Sequence, residues 1–214
     1  MRIIAGKYKN RLIEAPEGSH TRPILARVRK SLFDILQPYL EGARLLDLFS
    51  GSGVMALEAF SRGATFVFSI DSSVDALEAA QQNHKRICPD QTYRVLRGDV
   101  LLWVPRLVTQ EEPFDLIGIT PPYGKDLANQ TLTLLDQHPY WFKNETVIYV
   151  QREKTEDVKL QWENLEHVRT KNYGKTILEF FMPFEKNFEK SIDINPETKP
   201  VENSTSNIPP LEIP

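Results

Sequence analysis

The sequence is poor in residues that build covalent or metal-based sites. It contains one cysteine, Cys88, and four histidines among 214 residues. One thiol cannot form an intramolecular disulfide, and neither the thiol nor the histidines have the spacing of metal ligands. We therefore expect no disulfide framework and no metal site. The single thiol is typical of a protein kept in a reducing compartment.

Long apolar runs are also missing. No stretch approaches the ~18 uninterrupted apolar residues of a membrane-spanning helix, and the first ten residues, MRIIAGKYKN, lack the apolar core of a signal peptide. A Walker loop and the elbow around a nucleophilic serine are absent as well. These absences favour a cytoplasmic protein with no membrane partner, and they disfavour P-loop and serine hydrolases.

Positive charge is concentrated near the N-terminus, although the formal net charge is -3. Residues 1–30 carry eight Lys and Arg residues against two acids, whereas the remainder carries 18 basic and 27 acidic residues. A basic arm on an acidic body favours a local contact with a polyanion such as nucleic acid. A solvated basic segment without a partner is the alternative.

The composition divides the chain into three parts. Residues 1–20 predict a basic β-hairpin, with strands at 2–5 and 11–14, followed by a linker. Because an isolated hairpin is marginal in water, it must pack on the body or be mobile. Residues 21–184 have the periodic apolar pattern of a folded domain. From residue 185 the chain is rich in Glu, Lys, Asn, Ser and Pro, so we expect a disordered tail.

Within the domain, helical and strand patterns alternate. Thr21-Arg22-Pro23 predicts the start of a first helix, which ends at Gln37-Pro38. A final hairpin is expected from strands at 165–170 and 176–182. This order predicts an α/β, Rossmann-like fold with a mostly parallel sheet, helices on both faces and an antiparallel terminal strand. The remaining predicted strands are 45–49, 65–70, 93–96, 114–119 and 146–150, and the remaining helices are 54–61, 73–87, 101–108 and 126–137.

Residues 44–63, RLLDLFSGSGVMALEAFSRG, predict a strand, a glycine-rich turn and a helix. The turn Ser50-Gly51-Ser52-Gly53 allows the backbone to approach a nucleotide-like ligand closely, because glycine has no Cβ. Gly51, Gly53 and Ala56 also match the fingerprint of NAD-binding enzymes, and Asp71 lies 20 positions after Gly51. The turn alone is therefore compatible with either S-adenosylmethionine or NAD.

Asp47, inside the strand that precedes this turn, favours one of the two ligands. A buried carboxylate needs a cationic partner or good hydrogen-bond donors. S-adenosylmethionine carries an ammonium and a sulfonium, whereas the pyrophosphate of NAD is anionic and would be repelled. We therefore expect the turn to bind S-adenosylmethionine. The alternatives are that Asp47 accepts from backbone amides and that Asp71 and Asp99 only cap the helices that follow them.

The turn after the fourth predicted strand is the second candidate site. It reads Thr120-Pro121-Pro122-Tyr123. Two prolines stiffen the chain and leave carbonyl groups free, and Tyr123 offers a ring on which a base can stack. A side-chain acceptor and a proline carbonyl would hold an exocyclic amine and direct its lone pair at the donor methyl group. An ordinary rigid turn is the alternative.

Several motifs together resemble one family. Thr21-Arg22-Pro23 and Arg27-Val28-Arg29 are followed by DLFSGSG, LEAFSRGA, GD, a Pro-Pro-Tyr turn and NYGKT at 172–176. In this order, over residues 1–184, they resemble the RsmD family, bacterial methyltransferases that modify the exocyclic N2 of one guanine in small-subunit ribosomal RNA. The resemblance implies a seven-stranded methyltransferase sheet with an antiparallel terminal strand.

The resemblance also implies roles for individual residues. Around the cofactor, Asp71 would bind the ribose hydroxyls, and Asp99 with Val100 would flank the adenine. Pro121, Pro122 and Tyr123 would receive the target base. The methionine end of S-adenosylmethionine would lie against Asp47, Phe49, Gly51 and Gly53.

The partner implied by the resemblance is 16S rRNA, in a small ribosomal subunit or an assembly intermediate, bound by a monomer. RNA phosphate would contact the N-terminal hairpin and the first helix. An acidic body is compatible with this partner if the arm makes the contact. The basic residues concerned are Lys7, Lys9, Arg11, Arg22, Arg27 and Arg29.

Thr120 departs from the family pattern, which has Asp or Asn before Pro-Pro-Tyr. Threonine is shorter and its hydroxyl is a weaker acceptor; losing one preorganised polar contact costs roughly 3–4 kcal/mol. We favour an S-adenosylmethionine-dependent RNA methyltransferase that uses the turn from Thr120 to Tyr123. A non-catalytic protein that binds S-adenosylmethionine and rRNA, and an NAD-dependent oxidoreductase, are the alternatives.

Overall fold

The computed structural model of the chain describes residues 1–15, 24–139 and 142–184, apart from the side chains of residues 108–110. The predicted linker at 16–20, the predicted helix start at Thr21-Arg22-Pro23 and the predicted tail from residue 185 lie outside these residues. The helices are α1 Ala26–Leu36, α2 Val54–Ser61, α3 Val74–Ile87, α4 Val100–Gln110 and α5 Leu127–Asp136, with a 3₁₀ turn at Gln37–Tyr39. The strands are β1 Arg44–Leu48, β2 Phe66–Asp71, β3 Thr92–Arg97, β4 Phe114–Ile119, β5 Phe142–Glu153, β6 Leu165–Tyr173 and β7 Thr176–Pro183.

The strands of the described residues form one sheet in the order β3-β2-β1-β4-β5-β7-β6. β1 to β5 run parallel to one another, whereas β7 runs antiparallel to both β5 and β6. The predicted α/β fold with an antiparallel terminal strand is therefore confirmed. The strand order reverses between β1 and β4, which is where ligands of open α/β sheets bind.

Alternation along the strands divides the apolar residues between the two faces of the sheet. Leu45 packs in a cluster with the N-terminal hairpin, α1 and α2, while its neighbour Leu46 packs in a cluster with α4 and α5. Successive side chains of a strand point to opposite faces, so both faces of β1 are buried. The result is three layers, with the carboxyl ends of the parallel strands left at one edge.

The first helix begins later than predicted. Leu25 precedes it with an extended backbone, φ -58° and ψ 136°, and the helix starts at Ala26. The apolar spacing that predicted the helix is otherwise confirmed, because Val28, Leu32 and Leu36 are buried.

β5 extends beyond the predicted strand at 146–150 to Glu153. The added residues Gln151 to Glu153 are polar and show no apolar alternation. They belong to the strand because β7 pairs with them in register, from Gln151 opposite Leu178 to Glu153 opposite Thr176.

The N-terminal hairpin is packed against the body. It closes through one antiparallel bridge between Arg2 and Leu12, and Ile3 and Ile13 are buried. The amide of Lys7 donates to the carbonyl of Ser61 at 2.7 Å, at the end of α2. Gly6 (φ 84°) allows this approach, since a Cβ there would lie 1.7 Å from the same carbonyl oxygen.

Candidate active site

The glycine turn after β1 requires glycine for two different reasons. Gly51 (φ 52°) and Gly53 (φ 75°) both have left-handed backbone conformations, which residues other than glycine rarely adopt. At Gly51 a Cβ would meet nothing within 4 Å of it. At Gly53 a Cβ would lie 2.9 Å from the Cβ of Ala80 and 3.1 Å from the hydroxyl of Tyr93. Gly53 therefore also lets α2 start close to α3 and β3, while Ser52 is half-buried between the two glycines.

Asp71, at the end of β2, holds this turn in place. Its Oδ2 accepts from the amide of Gly51 at 2.8 Å, and its Oδ1 accepts from the amide of Ser73 at 2.9 Å. The N-cap of α3 is Ser73, whose hydroxyl accepts from Ala76. Asp71, which is half-buried, thus binds backbone on both sides, and each carboxylate oxygen keeps a second lone pair for a ligand hydroxyl.

Asp47 lies under the turn and is fully buried. Ser69 donates a long hydrogen bond of 3.4 Å to its Oδ2, and the backbone amide of Ala56 also acts on the carboxylate and lowers its pKa. Oδ1 has no partner at hydrogen-bond geometry among the described residues. Burial, together with the nearby carboxylate of Asp71, raises the pKa of Asp47 to about 7. A buried acceptor that lacks a partner beside a glycine turn fits a cationic ligand group such as the ammonium of S-adenosylmethionine.

Two tyrosines that the sequence reasoning did not identify flank Asp47. Tyr93 donates to the hydroxyl of Ser69 at 3.1 Å, which continues the polar chain from Asp47. On the other side, Asp47 is in register with Gly118, and Gly118 with Tyr149. A Cβ on Gly118 would lie 2.3 Å from the hydroxyl of Tyr149, so this glycine makes room for the ring. A glycine inside a strand was the sequence signal for this close approach.

Asp99 and Val100 follow β3. The carboxylate of Asp99 accepts from the amide of Leu101 at 2.8 Å, and Asp99 is the N-cap of α4. Val100 is buried. Trp103, which was not identified from the sequence, packs against Gly98. A Cβ on Gly98 would lie only 2.1 Å from Nε1 of its indole ring. Capping therefore accounts for part of the role of Asp99.

The Pro-Pro-Tyr turn begins beside the residues that lead into the glycine turn. The hydroxyl of Thr120 donates to the carbonyls of Leu48 and Phe49, at 3.4 Å each. Phe49 has a left-handed backbone, with φ 63°. Pro121 is buried, whereas Pro122 is exposed and Tyr123 is 37% exposed. The two predicted sites therefore meet at the ends of β1 and β4.

Residues of β5 and the loop after it fix the Pro-Pro-Tyr turn. Gln151 donates from Nε2 to the hydroxyl of Tyr123 at 3.0 Å. Glu156 accepts from the amide of Gly124 through Oε1 and from the amide of Glu153, at 2.9 Å, through Oε2. Both supports were missed from the sequence, because they are set by the pairing of β5 with β4 and not by a local motif.

The predicted RNA-contacting residues divide into two groups. Lys7, Lys9, Arg11 and Arg27 are exposed, while Arg22 lies outside the described residues. Arg29 must be removed from the set, because it is buried. Its Nε contacts Oε1 of Glu58 at 3.0 Å, and its Nη2 donates to the carbonyl of Arg2 at 2.7 Å. Its guanidinium is thus used to hold the hairpin and α1 on α2.

Other kinds of site find little support in the described part of the chain. No group of three or more His, Cys, Asp or Glu residues there has the arrangement of a metal site. None of the described helices is long and apolar enough to cross a bilayer. Cys88 is buried, and this burial raises the pKa of its thiol to about 12, which disfavours the reactive thiolate at neutral pH.

The sheet order, the glycine turn and the adjoining Pro-Pro-Tyr turn define the chain as a methyltransferase of the class I, S-adenosylmethionine-dependent fold. A solved structure of "Putative methyltransferase yhhF" from Escherichia coli matches it with a TM-score of 0.74 at 27% identity, over 86% of this chain and 97% of that chain. The family model described as "Conserved hypothetical protein 95" matches residues 1–182. The chain belongs to this family, the RsmD family of rRNA methyltransferases, which confirms the resemblance.

Two curated relatives carry the same name, ribosomal RNA small subunit methyltransferase D. The protein from Buchnera aphidicola is 32% identical over 156 residues, which cover 73% of this chain and 80% of the relative. The protein from Escherichia coli K12 is 32% identical over 158 residues, which cover 72% of this chain and 75% of the relative.

Proposed function

We propose that this protein transfers a methyl group from S-adenosylmethionine to the exocyclic N2 of a guanine in 16S rRNA. The observation that carries the proposal is the contact between Phe49 and Thr120, the residues that directly precede the glycine turn and the Pro-Pro-Tyr turn. A donor held by the first turn and a base held by the second would meet at this contact. The names of the curated relatives support rRNA of the small subunit as the substrate.

The donor side of the site suits a cationic cofactor. The unpaired Oδ1 of Asp47 would accept from the ammonium of the donor, and the glycine turn would leave room for its methionine part. An NAD pyrophosphate in the same place would face the carboxylates of Asp47 and Asp71. We therefore discard the oxidoreductase alternative. Asp71 would bind the ribose hydroxyls, and Asp99 with Val100 would flank the adenine.

On the acceptor side, the chain would orient the base. The bound donor supplies an electrophilic methyl group whose sulfonium leaves as a neutral thioether. Tyr123 would stack on the base and the carbonyl of Pro121 would accept a hydrogen bond from the amine. The amine would be held in line with the breaking bond, and its proton would pass to water. Positioning of this kind is the main contribution such a site makes to the rate.

The N-terminal hairpin would bind RNA phosphate through Lys7, Lys9 and Arg11, together with Arg27 of α1. Arg22, which lies outside the described residues, stays in the proposed set. We propose a small ribosomal subunit or an assembly intermediate as the substrate, a monomeric enzyme and a cytoplasmic location. The exposed positions of the four described basic residues support a phosphate contact.

A transfer assay tests the proposal. Purified protein is mixed with methyl-labelled S-adenosylmethionine and with small ribosomal subunits that lack the mark, and the modified base is mapped. Label on the N2 of one guanine is the expected result. Absence of transfer, with donor binding intact by calorimetry, would contradict the proposal. Subunits that already carry the mark are the control.

A non-catalytic protein that binds the donor and rRNA is the second candidate, and Thr120 favours it. Its hydroxyl proton is shared between two carbonyl groups, at 3.4 Å each, and its neutral oxygen is a weaker acceptor for an amine than the side chain of Asp or Asn. Thr120→Asn separates the two candidates. If the native protein transfers no methyl group and Thr120→Asn does, the native protein is the non-catalytic binding protein. If the native protein already transfers the methyl group, it is the enzyme.

A further inference from the structure

Gln151 lies beside Thr120 at the carboxyl edge of the sheet. Ile119 of β4 is in parallel register with Val150 of β5, so Thr120 and Gln151 are the next residues along the two strands. Gln151 also lies two residues after Tyr149, and its side chain therefore extends from the same face of the sheet. That face carries Asp47 and the donor turn.

The side-chain amide of Gln151 is only partly satisfied. Its Nε2 donates to the hydroxyl of Tyr123 at 3.0 Å, whereas its Oε1 is buried and has no partner in the described part of the chain. The residue as a whole is 9% exposed. Buried side-chain carbonyls nearly always have a donor, so an unpaired one in a native protein calls for an explanation.

A ligand donor is the explanation that the location favours. The unpaired oxygen belongs to the same planar amide that contacts Tyr123, the residue expected to stack on the target base. Thr120, in the place of the family's Asp or Asn, is directed back at Leu48 and Phe49. The site therefore lacks a strong acceptor at position 120 and has one at position 151.

We infer that Gln151 is the acceptor of the target amine: its Oε1 accepts a hydrogen bond from the exocyclic amine of the base and directs the lone pair at the donor methyl group. The inference rests on the proposed function, and it assigns the role left open by Thr120. The step itself is unchanged: the amine nitrogen bonds to the methyl carbon, the sulfur keeps the electron pair, and water takes the proton.

The surroundings hold this amide in a fixed position. The next residue, Arg152, forms an ion pair with the buried Glu179, at 2.6 Å from Nη2, and donates to the carbonyl of Glu156 at 2.6 Å. Glu156 in turn accepts from the amides of Gly124 and Glu153. The end of β5 and the Pro-Pro-Tyr turn are therefore one rigid unit, as a preorganised acceptor requires.

Three variants separate a direct role from an indirect one. Gln151→Met keeps the length of the side chain and removes its hydrogen bonds. Gln151→Glu keeps an oxygen acceptor in either protonation state. Tyr123→Phe keeps the ring and removes the hydroxyl that Gln151 binds. Gln82→Met, on the exposed side of α3, is the matched control.

The readout is single-turnover transfer of labelled methyl at saturating donor, alongside donor affinity and melting temperature. We expect Gln151→Met to lose about 10²–10³-fold in rate, with donor affinity unchanged. Gln151→Glu and Tyr123→Phe should each lose less than about tenfold, and Gln82→Met should not change. In a Thr120→Asn background the loss from Gln151→Met should be small, since asparagine supplies the missing acceptor.

Two results would overturn the inference while leaving the proposed function intact. One is native-like transfer by Gln151→Met. The other is an equal loss in Gln151→Met, Tyr123→Phe and the double variant, which would mean that Gln151 acts only through Tyr123. A native protein that binds the donor and transfers nothing would instead contradict the proposed function, and the inference with it.

Discussion

The amide of Gly51 donates a 2.8 Å hydrogen bond to Oδ2 of Asp71, so the end of β2 fixes the turn that follows β1. The same carboxylate accepts from Ser73 at the start of α3. One side chain thus joins the glycine turn, a strand end and the next helix. The shape of the proposed donor site depends on this carboxylate before any ligand binds.

Asp71→Ala should weaken binding of S-adenosylhomocysteine by about 10–100-fold, since hydrogen bonds to a charged group contribute roughly 1.5–3 kcal/mol. The loss has two sources, the released turn and the missing partner for the ribose. Calorimetry measures the affinity. Asp75→Ala, which removes an exposed acid in the first turn of α3, is the control and should bind normally.

Donor binding should depend on pH through Asp47. Its pKa in the free protein is raised to about 7, so the carboxyl becomes neutral below that pH and loses its attraction for the ammonium. Affinity for S-adenosylhomocysteine should therefore fall by about tenfold for each pH unit below 7. Asp47→Asn should bind weakly without this pH dependence; a pH dependence retained in the variant would exclude Asp47 as its source.

Asp47 should also make the ligand-free protein less stable at high pH. Its pKa is about 7 in the folded state, and 3.8 is the ordinary value that applies to the unfolded state. Between these pH values the folded state therefore keeps a proton that the unfolded state has lost. The free energy of unfolding then decreases as pH rises, by about 4 kcal/mol at most from this group. Urea unfolding at pH 4.5 and pH 8 should show this decrease in the native protein and a smaller one in Asp47→Asn.

Arg29 and Arg27, two residues apart on α1, should behave in opposite ways. Arg29→Met leaves Glu58 buried without its closest cation and should cost about 3–5 kcal/mol in unfolding free energy. Restoration of stability by the additional change Glu58→Met would identify the unpaired charge as the cause. Arg27→Ala should leave stability unchanged and weaken RNA binding. The salt dependence of the RNA-binding constant should also become less steep, by the amount that corresponds to about one phosphate contact. A stable Arg29→Met protein would contradict the structural role.

The fold was predictable because its signals are local. Strands such as Phe114–Ile119 are apolar runs bounded by turn residues, and the helix Val54–Ser61 begins directly after two glycines. The end of β5 was not predictable, since Gln151 to Glu153 carry no apolar pattern and belong to the strand only because they pair with β7.

The candidate site was predictable where a motif spans a few residues and unpredictable where partners are distant in sequence. Asp47 and the turn from Thr120 to Tyr123 could be chosen from the sequence because each sits at a strand end. Arg29 could not be distinguished from Arg27, because its burial depends on Glu58, which lies 29 residues away. Tyr149 and Gln151 reach the site only through the register of β4 with β5.

The close packing of Gly6 against the carbonyl of Ser61 has a geometric consequence for substrate choice. α2 begins at the glycine turn and ends where the hairpin is attached, and its eight residues span about 12 Å. The helix thus acts as a spacer of fixed length between the proposed methyl donor and the proposed phosphate-binding arm. An RNA must present its target base and a backbone segment at a matching separation, so a folded shape, more than a base sequence, would select the substrate.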